Sequence, residues 1–454
     1  VGGAGISGLA LAFALRRAGL PVVVIESESR AGGKIETDRS GGYLCERGPA
    51  SYLDRDGSIG ELAHDLGIAR RVTWASAAAE RRLVAVGRHL HDTPRSASEL
   101  ARSSLLPWSA KLRAGLDLLL PRGPSARGED ESVTAFARRR LGITAGERLL
   151  EPLVSGLYAG DPDQVSLPAA FPMLAAKERD HRSFLLAMRR ELAPVRNGAG
   201  PRLASFQDGL AELTSALALA LGPDLHLQTR IVKVDRQPQG FRVTVEDHGM
   251  VHTLAADAVA LAMPAYAAGA IVAALDAAAA DALALTPYVP VALVHLGYAA
   301  AAIARPLAAY GFFVPPSEPL RVLGGIFPSQ LFAGRAPPGH HLLSVRTGGA
   351  RHPEALAMSD QELLELAHEE LTPLLDLRSP PAFVRIVRHE RALPQYTLGH
   401  TQRIATLAAA QMRHPGLFFH GNAYHNAGVP ELVRRSTELA QRIARFLKPD
   451  QAQP

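Results

Sequence analysis

One cysteine, Cys45, and two tryptophans are all that this 454-residue chain holds of those types. A lone cysteine excludes an intramolecular disulfide and any metal site built from cysteines, and it fits a reducing compartment. Runs of five or six like charges are missing as well. The net charge of +5, carried mostly by arginine, is therefore too diffuse for a nucleic-acid binder. It does suit an anionic substrate or an anionic membrane surface. Two stretches, 258–275 and 282–304, carry no formal charge. Pro264 and Gly269 interrupt the first, and Thr286, Pro287, Pro290 and His295 the second. Each therefore reads as a strand followed by a helix or loop, and neither as a membrane span. No signal peptide is evident. Hydrophobic residues at 47% and charged ones at 20% are ordinary for a globular enzyme, and the length predicts two or three domains.

What is present begins almost at once, with Gly3-Ala4-Gly5-Ile6-Ser7-Gly8. Residues 9–18 read as a helix stopped by Gly19, and 22–25 as a buried strand ending at Glu26. Strand stub, glycine loop, helix and strand make a βαβ unit, the start of an α/β Rossmann-like domain. In such a loop Gly3 permits the tight turn, Gly5 lets the main chain approach a pyrophosphate, and Gly8 lets helix and strand pack closely. Ile6 and Ser7 open the helix whose N–H groups and dipole would hold the phosphates. Glu26, with Ser27 beside it, is placed to accept hydrogen bonds from the adenosine ribose and disfavours a 2′-phosphate. A second glycine pair, Gly32-Gly33, then Lys34, follows close behind. A plain NAD fold has no use for it; it resembles a loop that runs along the dinucleotide in the flavoprotein group that includes amine oxidases, where arginine usually stands in place of Lys34, and the resemblance implies FAD as cofactor. With only two residues ahead of the loop, the first strand reads as clipped, so the natural start is expected further upstream.

Residues 94–185 read as helical, and Trp108 with Lys111, Leu112 and Arg113 gives an apolar edge with cations close by. That edge fits a membrane interface or a helix packed on its neighbours. Segments 231–234, 241–245 and 257–263 read as strands, 288–350 as a second sheet, and 417–420 followed by a helix at 430–447 as a last β/α piece.

Five further segments carry a resemblance. They are Glu46-Arg47-Gly48-Pro49-Ala50-Ser51-Tyr52-Leu53, Leu153-Val154-Ser155-Gly156-Leu157-Tyr158-Ala159-Gly160-Asp161-Pro162, Ser166-Leu167-Pro168-Ala169-Ala170-Phe171-Pro172, Pro394-Gln395-Tyr396-Thr397-Leu398-Gly399-His400 and Gly421-Asn422-Ala423-Tyr424. In order along nearly the whole chain they resemble the protoporphyrinogen oxidase family, which includes coproporphyrinogen III oxidases. The resemblance implies an FAD oxidase of porphyrin biosynthesis that removes six electrons from a porphyrinogen in three steps, with dioxygen as acceptor and hydrogen peroxide released. It implies an amine-oxidase-like architecture in three parts. A discontinuous FAD-binding domain takes 1–77, 206–275 and 413–454, a mixed-sheet substrate domain 78–93, 186–205 and 276–412, and a helical, membrane-associating domain 94–185. A cytoplasmic location follows, with a peripheral contact on the inner face of the membrane and a homodimer both left open.

By the same resemblance Gly156 lies over the substrate near the reacting methylene, and Arg82 pairs a propionate. Phe313 and Ile326 pack on the tetrapyrrole, and the Val232 main chain meets the adenine. Gly48, Pro49, Gly421, Gly428 and Val429 border the flavin. Three departures stand out: Ala50 where relatives carry asparagine, Asn426 in place of a glycine, and Arg346 at an apolar pocket position. Arg346 would reach an additional propionate, which would favour coproporphyrinogen III over protoporphyrinogen IX, or would point away. His181, His400, His420 and His425 read first as structural residues and only second as candidate bases, and no metal site is expected.

Overall fold

The β/α pieces at the two ends and the middle of the chain meet in one parallel sheet, seen in a computed structural model that describes residues 1–181, 183, 202–425 and 428–448. The expected piece at 186–205 lies mostly outside those residues, as does Asn426. Residues 1–3 lead into α1 (Ile6–Arg17) and β1 (Val24–Ile25). Then come β2 (Arg82–Val86), β3 (His89–Asp92) and α2 (Glu151–Tyr158). The middle of the chain supplies β4 (Leu225–His226), β5 (Thr229–Arg236), β6 (Phe241–Asp247), β7 (Met250–Ala256) and β8 (Val259–Leu261). A second group is β9 (Tyr288–Ala299), β10 (Gly311–Phe313), β11 (Val322–Ile326), β12 (His340–Gly348), α3 (Asp360–Leu375) and β13 (Phe383–Pro394). The chain closes with β14 (Leu417–Phe419) and α4 (Val429–Leu447).

In the parallel sheet β4 pairs with β1 and β8 with β14. Gly2 bridges to both Ile25 and Leu261, which puts residues 1–3 at the sheet's centre. Wholly apolar runs such as 22–25 and 259–261 suit strands covered on both faces. Helices α1 and α4 cross against each other, and the Ser436 hydroxyl donates to the Ser7 carbonyl at 3.1 Å. An antiparallel layer, β5–β6–β7, sits nearby.

The second sheet has seven strands in the order β13–β9–β12–β11–β10–β2–β3. Only the β2–β10 pairing in it is parallel. Strand alternation divides its side chains between two faces. Leu83, Val294, Leu296, Phe312, Leu343 and Val345 go to the back, where Leu363, Leu371 and Leu374 of α3 cover them. The front face is set by register. Leu293 pairs with Arg346, Arg346 with Gly324, Gly324 with Phe313, and Phe313 with Val84. Two residues along each strand, the next row is His295, Ser344, Ile326, Gly311 and Arg82.

The helical region holds together around charge as well as apolar packing: Arg140, fully buried, bonds Glu178 at 2.5 Å and lies 3.1 Å from Asp117. Its outer surface leaves Trp108, Leu112 and Leu119 about 70% exposed. Among the described residues no helix is long and apolar enough to cross a membrane.

Candidate functional site

The glycine loop is shaped by what its residues lack. A β-carbon on Gly8 would stand 1.9 Å from the Gly3 carbonyl oxygen, so helix and loop pack only because it is absent. Gly3 itself has φ of +98°. At Gly5 the opposite holds: a β-carbon there would meet nothing within 4 Å, which leaves open space against bare main chain. Helix α1 starts at Ile6 and Ser7 without a side-chain cap, so its first N–H groups are left for a ligand. Glu26 follows β1 and folds back on the loop, its carboxylate accepting from the Ala4 N–H at 2.6 Å and the Glu28 N–H at 3.0 Å. The Ser27 hydroxyl donates to the same carboxylate at 3.3 Å. Gly32 bridges to Gly5, and Gly33 lies against the Gly5 α-carbon.

Lys34 departs from the expected pattern. Its ammonium donates to the Arg391 carbonyl at 2.6 Å, and burial lowers its pKa. The Lys34 carbonyl packs under Gly48, where a β-carbon would come within 2.0 Å, and Pro49 and Ala50 continue from there towards the second sheet. At the far side Gly421 faces the Ser7 hydroxyl, and Gly428 leads as extended chain into α4, which starts at Val429 with no side-chain cap. Val232 sits at a bulge: Ile231 pairs with Val245 and Lys233 with Thr244, which leaves Val232 without a cross-strand partner and 40% exposed. Open main chain at Gly5, two uncapped helix ends, the Glu26 carboxylate and an unpaired strand residue fit a dinucleotide laid along this edge.

The front face of the second sheet supplies the other half. Helix α2 crosses it so closely that a β-carbon on Gly156 would lie 2.1 Å from the Phe313 ring. Gly156, Phe313, Ile326 and Arg346 line a small cleft. Four of the substrate residues expected from sequence therefore meet. Arg82 stands at the exposed end of the same face, with its guanidinium 5.6 Å from the Tyr310 ring centre. Arg346 has no ion-pair or hydrogen-bond partner among the described residues. Burial lowers its pKa, opposed by the nearby Tyr310.

None of the four candidate histidines lines the cleft. Burial pushes His400, His420 and His425 down to about 4, and His420 is bonded to Ser436 at 2.8 Å. They are neutral packing groups around the last loop, and His181 ends the helix Pro172–His181. Sequence reasoning missed His295, Glu46 and Arg335, which surround a second hollow on the same sheet face. His295 is hidden within an apolar run, and only strand register reveals which way it faces. Among the described residues no cluster of potential metal ligands occurs.

Comparison with known proteins agrees with this geometry. The model of the flavin containing amine oxidoreductase family matches residues 6–444. Chloroplastic protoporphyrinogen oxidase of Nicotiana tabacum is 32% identical, covering 98% of this chain and 85% of its own. Coproporphyrinogen III oxidase of Bacillus subtilis is 30% identical over 95% and 94%. A crystal structure from an Exiguobacterium species, named for protoporphyrinogen oxidase, superposes with a TM-score of 0.82 at 26% identity, covering 98% of this chain and 97% of that one. The chain belongs to the protoporphyrinogen oxidase family of flavin containing amine oxidoreductases, which takes in the coproporphyrinogen III oxidases, and its cofactor is FAD.

Proposed function

We propose that the chain oxidises a porphyrinogen to the porphyrin in three two-electron steps, with protoporphyrinogen IX as substrate and dioxygen as final acceptor. The observation that carries this is the cleft where Gly156 meets Phe313 beside Arg346 and Ile326, an apolar slot with a cation in its wall. When bound, FAD supplies the hydride acceptor. Everything else falls to the protein. Gly5, Ile6, Ser7, Glu26 and Val232 hold the dinucleotide. Gly156 offers bare main chain over the ring being oxidised, and Phe313 and Ile326 fix the plane of the macrocycle. Arg82, at the exposed end, pairs a propionate. The uncapped start of α4 places positive dipole where negative charge develops.

One observation favours a second reading. Arg346 is enclosed and unpaired, and a cation in that state gains most from an added carboxylate. Coproporphyrinogen III, with four propionates against two, supplies one. Purified protein assayed with each porphyrinogen, following porphyrin fluorescence and peroxide together, tests both. Turnover of either with matched peroxide supports the reading, and FAD-loaded protein that forms neither porphyrin removes it. Trp108, Leu112 and Leu119, with Lys111 and Arg113 between them, support a peripheral membrane contact. Flotation with anionic vesicles, set against Trp108→Ala, checks it.

A further inference from the structure

Next to the substrate cleft the same sheet face opens into a small lobe with room for about one water molecule. Ile326 lines both hollows, so one side chain parts them. Leu44, Ala50, Leu331, Phe332 and Leu342 give the lobe apolar walls, and Glu46, His295, Arg335 and Ser344 bring polar groups to it. His295 is 1% exposed and neither ring nitrogen meets a partner in full hydrogen-bond geometry, although the Glu46 main chain lies close enough to favour its charged form. Buried polar groups are seldom left so, and a water between polar neighbours is the usual remedy. Ser344 stands beside His295 across the strand pair. Glu46 is fixed in place, its carboxylate accepting from the Thr37 hydroxyl at 2.7 Å and the Leu210 N–H at 2.8 Å. Arg335 gives its N–H groups to the Gln207 and Phe206 carbonyls and the Ser205 hydroxyl, so it contributes charge without closing the lobe.

We propose that this lobe is the proton outlet of the cleft: a water held by His295 and Ser344 takes up a pyrrole proton, and Glu46 receives it. The inference rests on the porphyrinogen reading. In each step bound FAD would accept a meso C–H hydrogen with its two electrons. In two of the three steps a pyrrole N–H bond also breaks, its electron pair stays on the ring to complete the new double bonds, and its proton leaves for the lobe; in the other step the proton comes from the remaining meso carbon and leaves the same way. Dioxygen finally takes the two electrons and two protons as hydrogen peroxide, so the released proton balances the step. Burial pushes the Glu46 carboxyl up to about 7, against the pull of Thr37, Leu210 and Arg335. That suits a group that takes up a proton near neutrality. Burial pushes His295 down to about 4, with Asp38 and the Glu46 main chain acting against it and Arg385 and Arg47 with it. Its imidazole therefore stays neutral and orients the water.

The test is anaerobic reduction of the FAD-loaded protein by its porphyrinogen, followed in a stopped-flow instrument. With His295→Phe, reduction slows about 100-fold. Reoxidation by dioxygen and the Kd for the porphyrin product, read by fluorescence, stay unchanged. His295→Gln, which can still hold a water, recovers part of the rate. Ser344→Ala, a smaller change, slows reduction about 10-fold. Glu46→Gln removes the ionisation near pH 7 from the rate profile. Unaltered reduction in folded, FAD-loaded His295→Phe overturns the outlet, and so does unaltered reduction in Ser344→Ala with the pH limb retained in Glu46→Gln. If the unsubstituted protein binds no porphyrin and oxidises no porphyrinogen, the functional reading fails instead.

Discussion

The nucleotide end and the tetrapyrrole end of this molecule are built in opposite ways. At the first, a short continuous stretch does the work, and its chemistry is main chain: Gly3, Gly5 and Gly8 matter through missing side chains, and the helix after them presents bare N–H groups. At the second, bare main chain from α2 and side chains from β2, β10, β11 and β12 meet on one sheet face although the chain brings them from positions 82 to 346. A local site of the first kind tolerates almost no change of shape. The second kind tolerates changes that are matched across strands.

The largest expected effect breaks the first region. Gly8→Val drives a side chain into the Gly3 carbonyl, an overpacking of several kcal/mol that backbone cannot relieve. Soluble yield and bound FAD should both be lost. Gly5→Ala meets no protein atom, so the fold should survive with weakened FAD retention, visible as a lower flavin-to-protein absorbance ratio. An equal collapse of both variants would contradict the distinction.

In the second region, Gly156→Ala collides with the Phe313 ring and should lower kcat about 100-fold at full FAD content. Adding Phe313→Ala should recover part of it. Recovery no better than the sum of the single effects would show that the two sites are uncoupled. Smaller again, Arg346→Met should reduce kcat/KM for coproporphyrinogen III about 10-fold relative to protoporphyrinogen IX, the scale of one charge-assisted hydrogen bond. If the ratio of the two substrates does not move, Arg346 has no part in the choice.

A separate effect concerns stability. Glu151, in the first turn of α2, is buried with one carboxylate oxygen unpartnered, and burial pushes its pKa up to about 7. A raised carboxyl favours the protonated, neutral form. Its contribution is therefore full below the ordinary value near 4.5 and is lost as pH rises through 7. The loss is at most about 3 kcal/mol. Glu151→Gln should narrow the fall in Tm between pH 5 and pH 8. An unchanged fall in thermal unfolding would place the titration elsewhere.

The same contrast governs what could be read from the sequence. Gly3 to Glu26 was legible because a main-chain site has a fixed spacing, and the buried run after α1 gave the strand. Gly156, Phe313, Ile326 and Arg346 could be named by resemblance, but their meeting depends on strand register, which local sequence does not state. His295 was invisible for the same reason: alternation decides its face, and an uninterrupted apolar run conceals alternation. Lys34 shows what local sequence leaves out: it stands beside Gly33, and its ammonium donates to the Arg391 carbonyl, 357 residues away.

The contact between Gly156 and Phe313 also constrains descent. A lineage cannot acquire a side chain at 156 while the ring remains at 313, because the intermediate sequence has no room for both. The order of substitution is thus prescribed, with 313 shrinking first. Relatives that carry a larger residue at 156 should then carry a smaller one at 313, a pairing that aligned sequences of the family can confirm or refuse.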